Sequence, residues 1–169
     1  MQSFQRVSGS QNLPAYLRGG VVAIGNFDGV HRGHQHVLLR ALEEAERLGV
    51  PALVLTFDPH PRSVFQPQQP LFTLTPVSMK ARLLSELGFS AVVEQPFTKA
   101  FAELDANHFV TDILVEHLGI SHVVTGFDFH FGKNRQGTPA FLVDAGKRHG
   151  FGVTQVEAFR DESGEIVSS

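Results

Sequence analysis

The chain has 169 residues, 42% of them hydrophobic and 18% charged, with a formal net charge of −3 and no cysteine. These figures suit one soluble globular domain with a sizeable core, and they exclude a disulfide framework, a thiolate metal site and a cysteine nucleophile. The slight acidic balance leaves no basic surplus to argue for nucleic acid as the main ligand, so any phosphate binding must come from a local site.

The opening stretch "MQSFQRVSGSQNLPAYLRGG" has no apolar segment of the signal-peptide kind, and no apolar run reaches the roughly 18 residues of a membrane span. A cytoplasmic protein is the expectation. In chain order, "VVAIG" (21–25) reads as a buried strand, apolar throughout and closed by glycine. Residues 26–33 form a loop. A helix is predicted over 34–48, with Val37, Leu38, Ala41, Leu42, Ala45 and Leu48 on one face and Arg40, Glu43, Glu44 and Arg47 on the other. Gly49 ends it.

A second strand follows at 51–57, then the proline-bounded loop "DPHPRSVF" at 58–65. A helix is predicted over 76–87 with Met79, Leu83, Leu84 and Leu87 inward, and a third strand over 90–95. Asp105 can cap a helix running to Leu118, with Phe109, Ile113, Leu114 and Leu118 as its apolar face. A fourth strand at 121–125 leads into the glycine-bounded loop "GFDFHFGKNRQG" (126–137). Thr138 can cap a helix over 139–148, and a fifth strand spans 152–159. "RDESGEIVSS" reads as a turn and the start of a further element.

This alternation predicts an α/β fold of Rossmann-like, doubly wound type, a five-stranded parallel sheet with helices on both faces. Ligands of such sheets bind beyond the carboxyl ends of the strands, which here are the loops at 26–33, 58–65, 96–101 and 126–137.

The first of these loops reads "GNFDGVHRGHQH" (25–36). His31 and His34, three apart, share a face of a helix, while His36 falls on another. A zinc site wants three convergent protein ligands, and only two converge, so the spacing argues against zinc. It fits a phosphate better. Gly25, Gly29 and Gly33 let the backbone turn tightly beside a ligand, the helix start offers unpaired N–H groups, and two imidazoles can donate to phosphate oxygens. Neither the dinucleotide fingerprint G-x-G-x-x-G nor a Walker G-K-[ST] is present.

"HRGH" after a first strand resembles the H-x-G-H signature of the nucleotidyltransferase superfamily. The longer "GNFDGVHRGHQ", with "TFDPHP" at 56–61 and "GFDFHFGKNRQG" at 126–137, resembles the bacterial FAD synthetases, bifunctional riboflavin kinase/FMN adenylyltransferases, from about residue 20 onward. The resemblance implies transfer of AMP from ATP to FMN, giving FAD and pyrophosphate, with Mg2+ accompanying the ATP. It implies that His31 and His34 hold the triphosphate and neutralise charge in the transition state. Gly25, Asn26, Phe27, Asp28, Gly29 and Gly33 would line the nucleotide. Asp28 either caps the helix or fixes the loop.

The resemblance places the flavin between the 58–65 and 126–137 loops, with Phe57, Asp58, His60, Pro61, Phe65, Asp128, Phe131 and Arg135 as its candidate contacts. Phe65 and Phe131 would sandwich or edge the ring system. Phe127, Phe129 and Phe131 alternate onto one side of a strand-like stretch, and Phe129 reads best as core. His60 is either a rigidly held contact or a solvent-exposed loop residue, and Arg135 either meets a phosphate or is a surface arginine.

Family members continue with I-S-S-T-x-I-R, whereas this chain reads "IVSS" to Ser169, so of that closing segment only Ser168 and Ser169 are assigned to the ATP site. The expectation is an adenylyltransferase domain over 1–169 whose parent chain carries a riboflavin kinase domain. The substrates would be small molecules, with no nucleic-acid or membrane partner. The alternative is a nucleotide- and flavin-binding module with little turnover.

Overall fold

The computed structural model describes residues 4–25, 32–58, 77–126, 129–156, 159–160 and 166–167. Six strands form one parallel sheet: β1 (Gln5–Ser8), β2 (Val21–Ile24), β3 (Ala52–Asp58), β4 (Ala91–Pro96), β5 (His122–Gly126) and β6 (Gly152–Val156), in the order β1-β4-β3-β2-β5-β6. The helices are α1 (Arg32–Leu48), α2 (Val77–Leu87), the short α3 (Lys99–Ala102), α4 (Ala106–His108, continuing as a wider π-type helix over Phe109–His117) and α5 (Pro139–His149). A small antiparallel pair, β7 (Phe159–Arg160) with β8 (Ile166–Val167), follows.

The strand alternation assigns the two faces. Val21, Ala23, Ala52, Val54, Val92 and Val124 join Val37, Leu38, Ala41, Ala45, Ala81 and Leu84 of α1 and α2 in one buried cluster. Val22, Ile24, Leu53, Leu55, Val93 and Val123 face the other way, onto Phe109, Val110, Ile113 and Leu114 and onto Leu142 and Ala145 of α5. Neighbours in sequence thus serve opposite cores, as a period of two requires.

The doubly wound architecture expected from the sequence is the one observed, with a sixth strand added. β1 escaped the sequence reading because "QRVS" is an edge strand on which only Val7 is buried, so it lacks the continuous apolar run of the inner strands. The loop expected at 96–101 contains α3, whose Thr98 hydroxyl accepts from the Phe101 amide. The fifth strand ends at Val156, not 159, and Phe159 instead starts the hairpin whose turn the sequence suggested. Leu48 and Leu87, expected to face inward, are exposed, each being the last residue of its helix. Glu44, expected on the solvent face of α1, is buried between Arg40 and Arg47.

The capping expectations hold. The Asp105 carboxylate accepts from the His108 amide at 2.7 Å, and the Thr138 hydroxyl accepts from the Phe141 amide at 3.0 Å. Phe109, Ile113, Leu114 and Leu118 are buried as the periodicity requires. The widening of this helix shows in the Leu118 amide donating to the Ile113 carbonyl, five residues back, at 3.0 Å. Nothing in the residue pattern of this segment signals the widening.

Candidate active site at the switch point

The chain runs outward from β2 through β3 to β4, then returns to place β5 on the other side of β2. The order reverses between β2 and β5, and an open parallel sheet presents its crevice at that point, beyond the carboxyl ends. β2 ends at Ile24, and the Gly25 amide donates to the Leu55 carbonyl at 3.1 Å, which ties the start of the glycine loop to β3. α1 then begins at Arg32, so Gly33 and His34 lie in its first turn, where helical N–H groups have no intrahelical acceptor.

Of the candidate ATP contacts, Asn26, Phe27, Asp28, Gly29, His31, Ser168 and Ser169 lie outside the described residues. So do His60, Pro61, Phe65 and Asp128 among the flavin candidates. Asp58 is the last residue of β3, level with Pro96 of β4. Phe57, Phe131 and Arg135 are described in full.

Phe57 belongs to a run of touching rings. It meets Phe97 edge-on at 5.9 Å, Phe101 at 6.0 Å and Phe109 at 6.5 Å, and Phe97 meets Phe101 at 5.5 Å. Phe109 meets Phe131 at 4.9 Å, and Phe131 stacks on Phe129 at 5.6 Å with Phe141 edge-on at 6.0 Å. Such offset and edge-on pairs are the favoured aromatic geometries. Phe131 is buried, and Phe129 is half-buried against the same core. Phe129 thus takes the core position its sequence suggested. Phe97 and Phe101 lie in the 96–101 loop region and are not among the candidate site residues read from the sequence. Their signal was "PFTKAF", two rings four apart around a capping threonine directly after a buried strand.

The 131–137 loop is pinned on two sides. Phe131 and Gly137 exchange backbone hydrogen bonds of 3.0 and 2.8 Å, and the Phe131 ring lies where any side chain at Gly137 would stand. The Lys133 amide donates to the Leu104 carbonyl at 2.8 Å, and its ammonium pairs with Glu103 at 3.0 Å.

A second polar group sits at the opposite, amino end of the sheet. His122 opens β5, its ring lying over Gly152, and its Nε2 is 2.6 Å from the Thr154 hydroxyl. Burial pushes its pKa below the ordinary 6.5, with Glu44 opposing that shift and Arg47 and Arg40 adding to it. The hydrogen bond from Arg47 holds the Glu44 carboxyl below the usual carboxylate range. This cluster lies at the amino end of the strands, opposite the carboxyl-end loops.

The parallel strands, with their order reversing between β2 and β5, define an α/β protein of doubly wound type. Among solved structures, one described as a macrolide-efflux protein from Streptococcus pneumoniae is similar at a TM-score of 0.80 and 25% identity, over 98% of this chain and 53% of that one. Pantoate–beta-alanine ligase from Francisella tularensis, complexed with beta-gamma ATP and beta-alanine, shares the fold at a TM-score of 0.60 and 13% identity, over 99% of this chain and 71% of that one. The family model for FAD synthetase matches residues 13–169, and the chain belongs to that family. Curated relatives include a bifunctional riboflavin kinase/FMN adenylyltransferase of Escherichia coli strain K12, 38% identical over 96% of this chain and 52% of its own length. Another of that name, from Pseudomonas fluorescens, is 44% identical over 88% of this chain and 48% of its own. The chain thus spans about half the length of these relatives. Among the described residues, no helix is long and apolar enough to cross a membrane.

Proposed function

We propose that the chain is an FMN adenylyltransferase domain, transferring AMP from ATP to FMN to form FAD and pyrophosphate. The observation that carries this reading is the family match over 13–169, which includes an H-R-G-H string leading into the helix after the central strand. A phosphate oxygen of FMN attacks the α-phosphorus in line as the bond from that phosphorus to the β-phosphate bridging oxygen breaks, and pyrophosphate leaves. No protein nucleophile takes part, so the protein's contribution is alignment and charge stabilisation.

In this reading His31 and His34 donate to the triphosphate, and the 25–29 backbone lines the nucleotide. The flavin takes the aromatic side, with Phe57, Phe65 and Phe131 as apolar contacts and Asp58, His60, Pro61 and Asp128 completing its surroundings. Mg2+ would accompany the ATP and would supply charge neutralisation there. No side chain is assigned to it. Ser168 and Ser169 belong to the segment closing on the phosphates. The names of the relatives support a riboflavin kinase domain elsewhere in the parent chain, and a cytoplasmic setting fits a biosynthetic enzyme of that kind.

The test is incubation with FMN and Mg-ATP followed by chromatography for FAD. FAD should accumulate with one pyrophosphate each, and His31→Ala or His34→Ala should slow it by roughly 10²–10³-fold, the scale for losing one preorganised donor to a developing charge. No FAD together with tight ATP binding would replace the enzyme by a nucleotide-binding module.

A further inference from the structure

Arg135 is the one non-glycine residue with positive φ among the described residues, at 53°. Side chains other than glycine, asparagine and aspartate are uncommon there, because Cβ crowds the following carbonyl. The residue closes a tight turn, Lys133–Arg135, opened by Gly132 at φ 78°, and its amide donates to the Gly132 carbonyl at 3.0 Å. A left-handed residue at the end of a helical turn is ordinarily glycine or asparagine. Arginine contributes nothing to that backbone role.

The surrounding loop cannot relax the strain. It is closed by the Phe131–Gly137 exchange and held to residue 104 by the Lys133 amide. The Gly132 backbone lies so close to Ala106 that a Cβ on it would stand 2.7 Å from the Ala106 nitrogen. Thr138, capping α5, fixes the far end. The strained residue therefore sits on an anchored loop between β5 and α5, at the carboxyl end of the strand beside β2. Its side chain is exposed and forms no ion pair with another described residue, unlike neighbouring Lys133, which pairs with Glu103. Strain of this kind persists where the surroundings over-determine it, and it gathers at ligand sites.

We infer that Arg135 is a phosphate-holding residue of this site, kept in a strained backbone so that its guanidinium meets a substrate phosphate. A planar, permanently charged fork suits a phosphate's paired oxygens better than an ammonium does. The inference rests on the adenylyltransferase reading for the identity of the substrates. The shared chemistry is a phosphate ester, supplied by either FMN or ATP.

The experiment compares the protein with Arg135→Gly, which accepts positive φ, and Arg135→Lys, which keeps the charge and the strain. Arg135→Gly should raise Tm by a few degrees while lowering kcat/KM at least tenfold. Arg135→Lys should keep the parental Tm and recover only part of the rate. A KM rise confined to FMN places the guanidinium on the flavin phosphate, and one confined to ATP places it on the nucleotide. A Tm gain with both KM values and kcat within twofold of the parent would overturn the inference. If the parent makes no FAD, the activity reading fails by itself. Calorimetric affinities of parent and Arg135→Gly for ATP and for FMN then decide Arg135, with equal affinities refuting it.

Discussion

The two faces of the sheet are built from different residues. Under α1 and α2 the buried cluster is aliphatic and small, with Ala23, Ala41, Ala45, Ala52 and Ala81 among its members and, among the described residues, Phe89 as its one buried ring. Across the sheet lie Phe109, Phe131 and Phe151, with Phe57, Phe101, Phe129 and Phe141 packed against them. Alanines let α1 approach the strands closely. Rings leave a broader and flatter surface, and from Phe97 to Phe131 they gather where β3, β4 and β5 give way to their loops. One face holds the helix that carries the proposed phosphate contacts. The other supplies an aromatic wall beside the proposed flavin side.

The sharpest way to break this division is to wound each face in turn. Phe109→Ala should cost about 3–5 kcal/mol and Leu38→Ala about 2–5 kcal/mol in urea unfolding, since both side chains are buried and neither site can collapse fully. The milder Phe109→Leu should weaken FMN binding, read as loss of flavin fluorescence quenching, while the equally mild Leu38→Val should not. Equal loss in both would show that the faces do not divide the work.

Next in size is Gly152→Ala, whose new methyl would collide with the His122 ring. Overpacking of this kind costs about 1–3 kcal/mol, and the displaced ring should lose its 2.6 Å contact with Thr154. Removing the cap of α5 with Thr138→Ala should cost about 1 kcal/mol, read as a lower urea midpoint at unchanged slope.

The smallest effect is on pH dependence. Because burial depresses the His122 pKa, the unfolded chain binds the proton first. Its contribution is complete above the ordinary value of 6.5 and declines as pH falls below it toward the depressed folded pKa. Glu44 and Asp105, whose pKa values are also lowered, add acid sensitivity in the carboxylate range below that. His122→Asn should flatten the upper part of the stability profile and leave the lower part intact. A profile unchanged by the substitution would remove His122 from the account.

The inner strands were legible because they are buried on both faces and read as short apolar runs between glycines and prolines. The caps at Asp105 and Thr138 were legible because their chemistry is local. β1 was not, since an edge strand borrows its order from β4 and carries only Val7 into the core. Nor was the burial of Glu44, which depends on Arg40, Arg47 and on β5, some eighty residues further along the chain. The ring cluster was half legible: the excess of phenylalanine was plain, but that Phe57, Phe97 and Phe109 touch follows from strand order.

The sequence by itself determined the alternation of strands and helices, the glycine loop with its histidine pair, and the family, because each is written in residue types at fixed local spacing. Only the tertiary structure decided that the order reverses between β2 and β5, which faces hold the aliphatic and aromatic cores, and that Arg135 sits in a left-handed backbone on an anchored loop. The physical reason is range. Periodicity and capping act over a few residues, whereas strand order and loop strain are set by contacts between segments far apart in the chain.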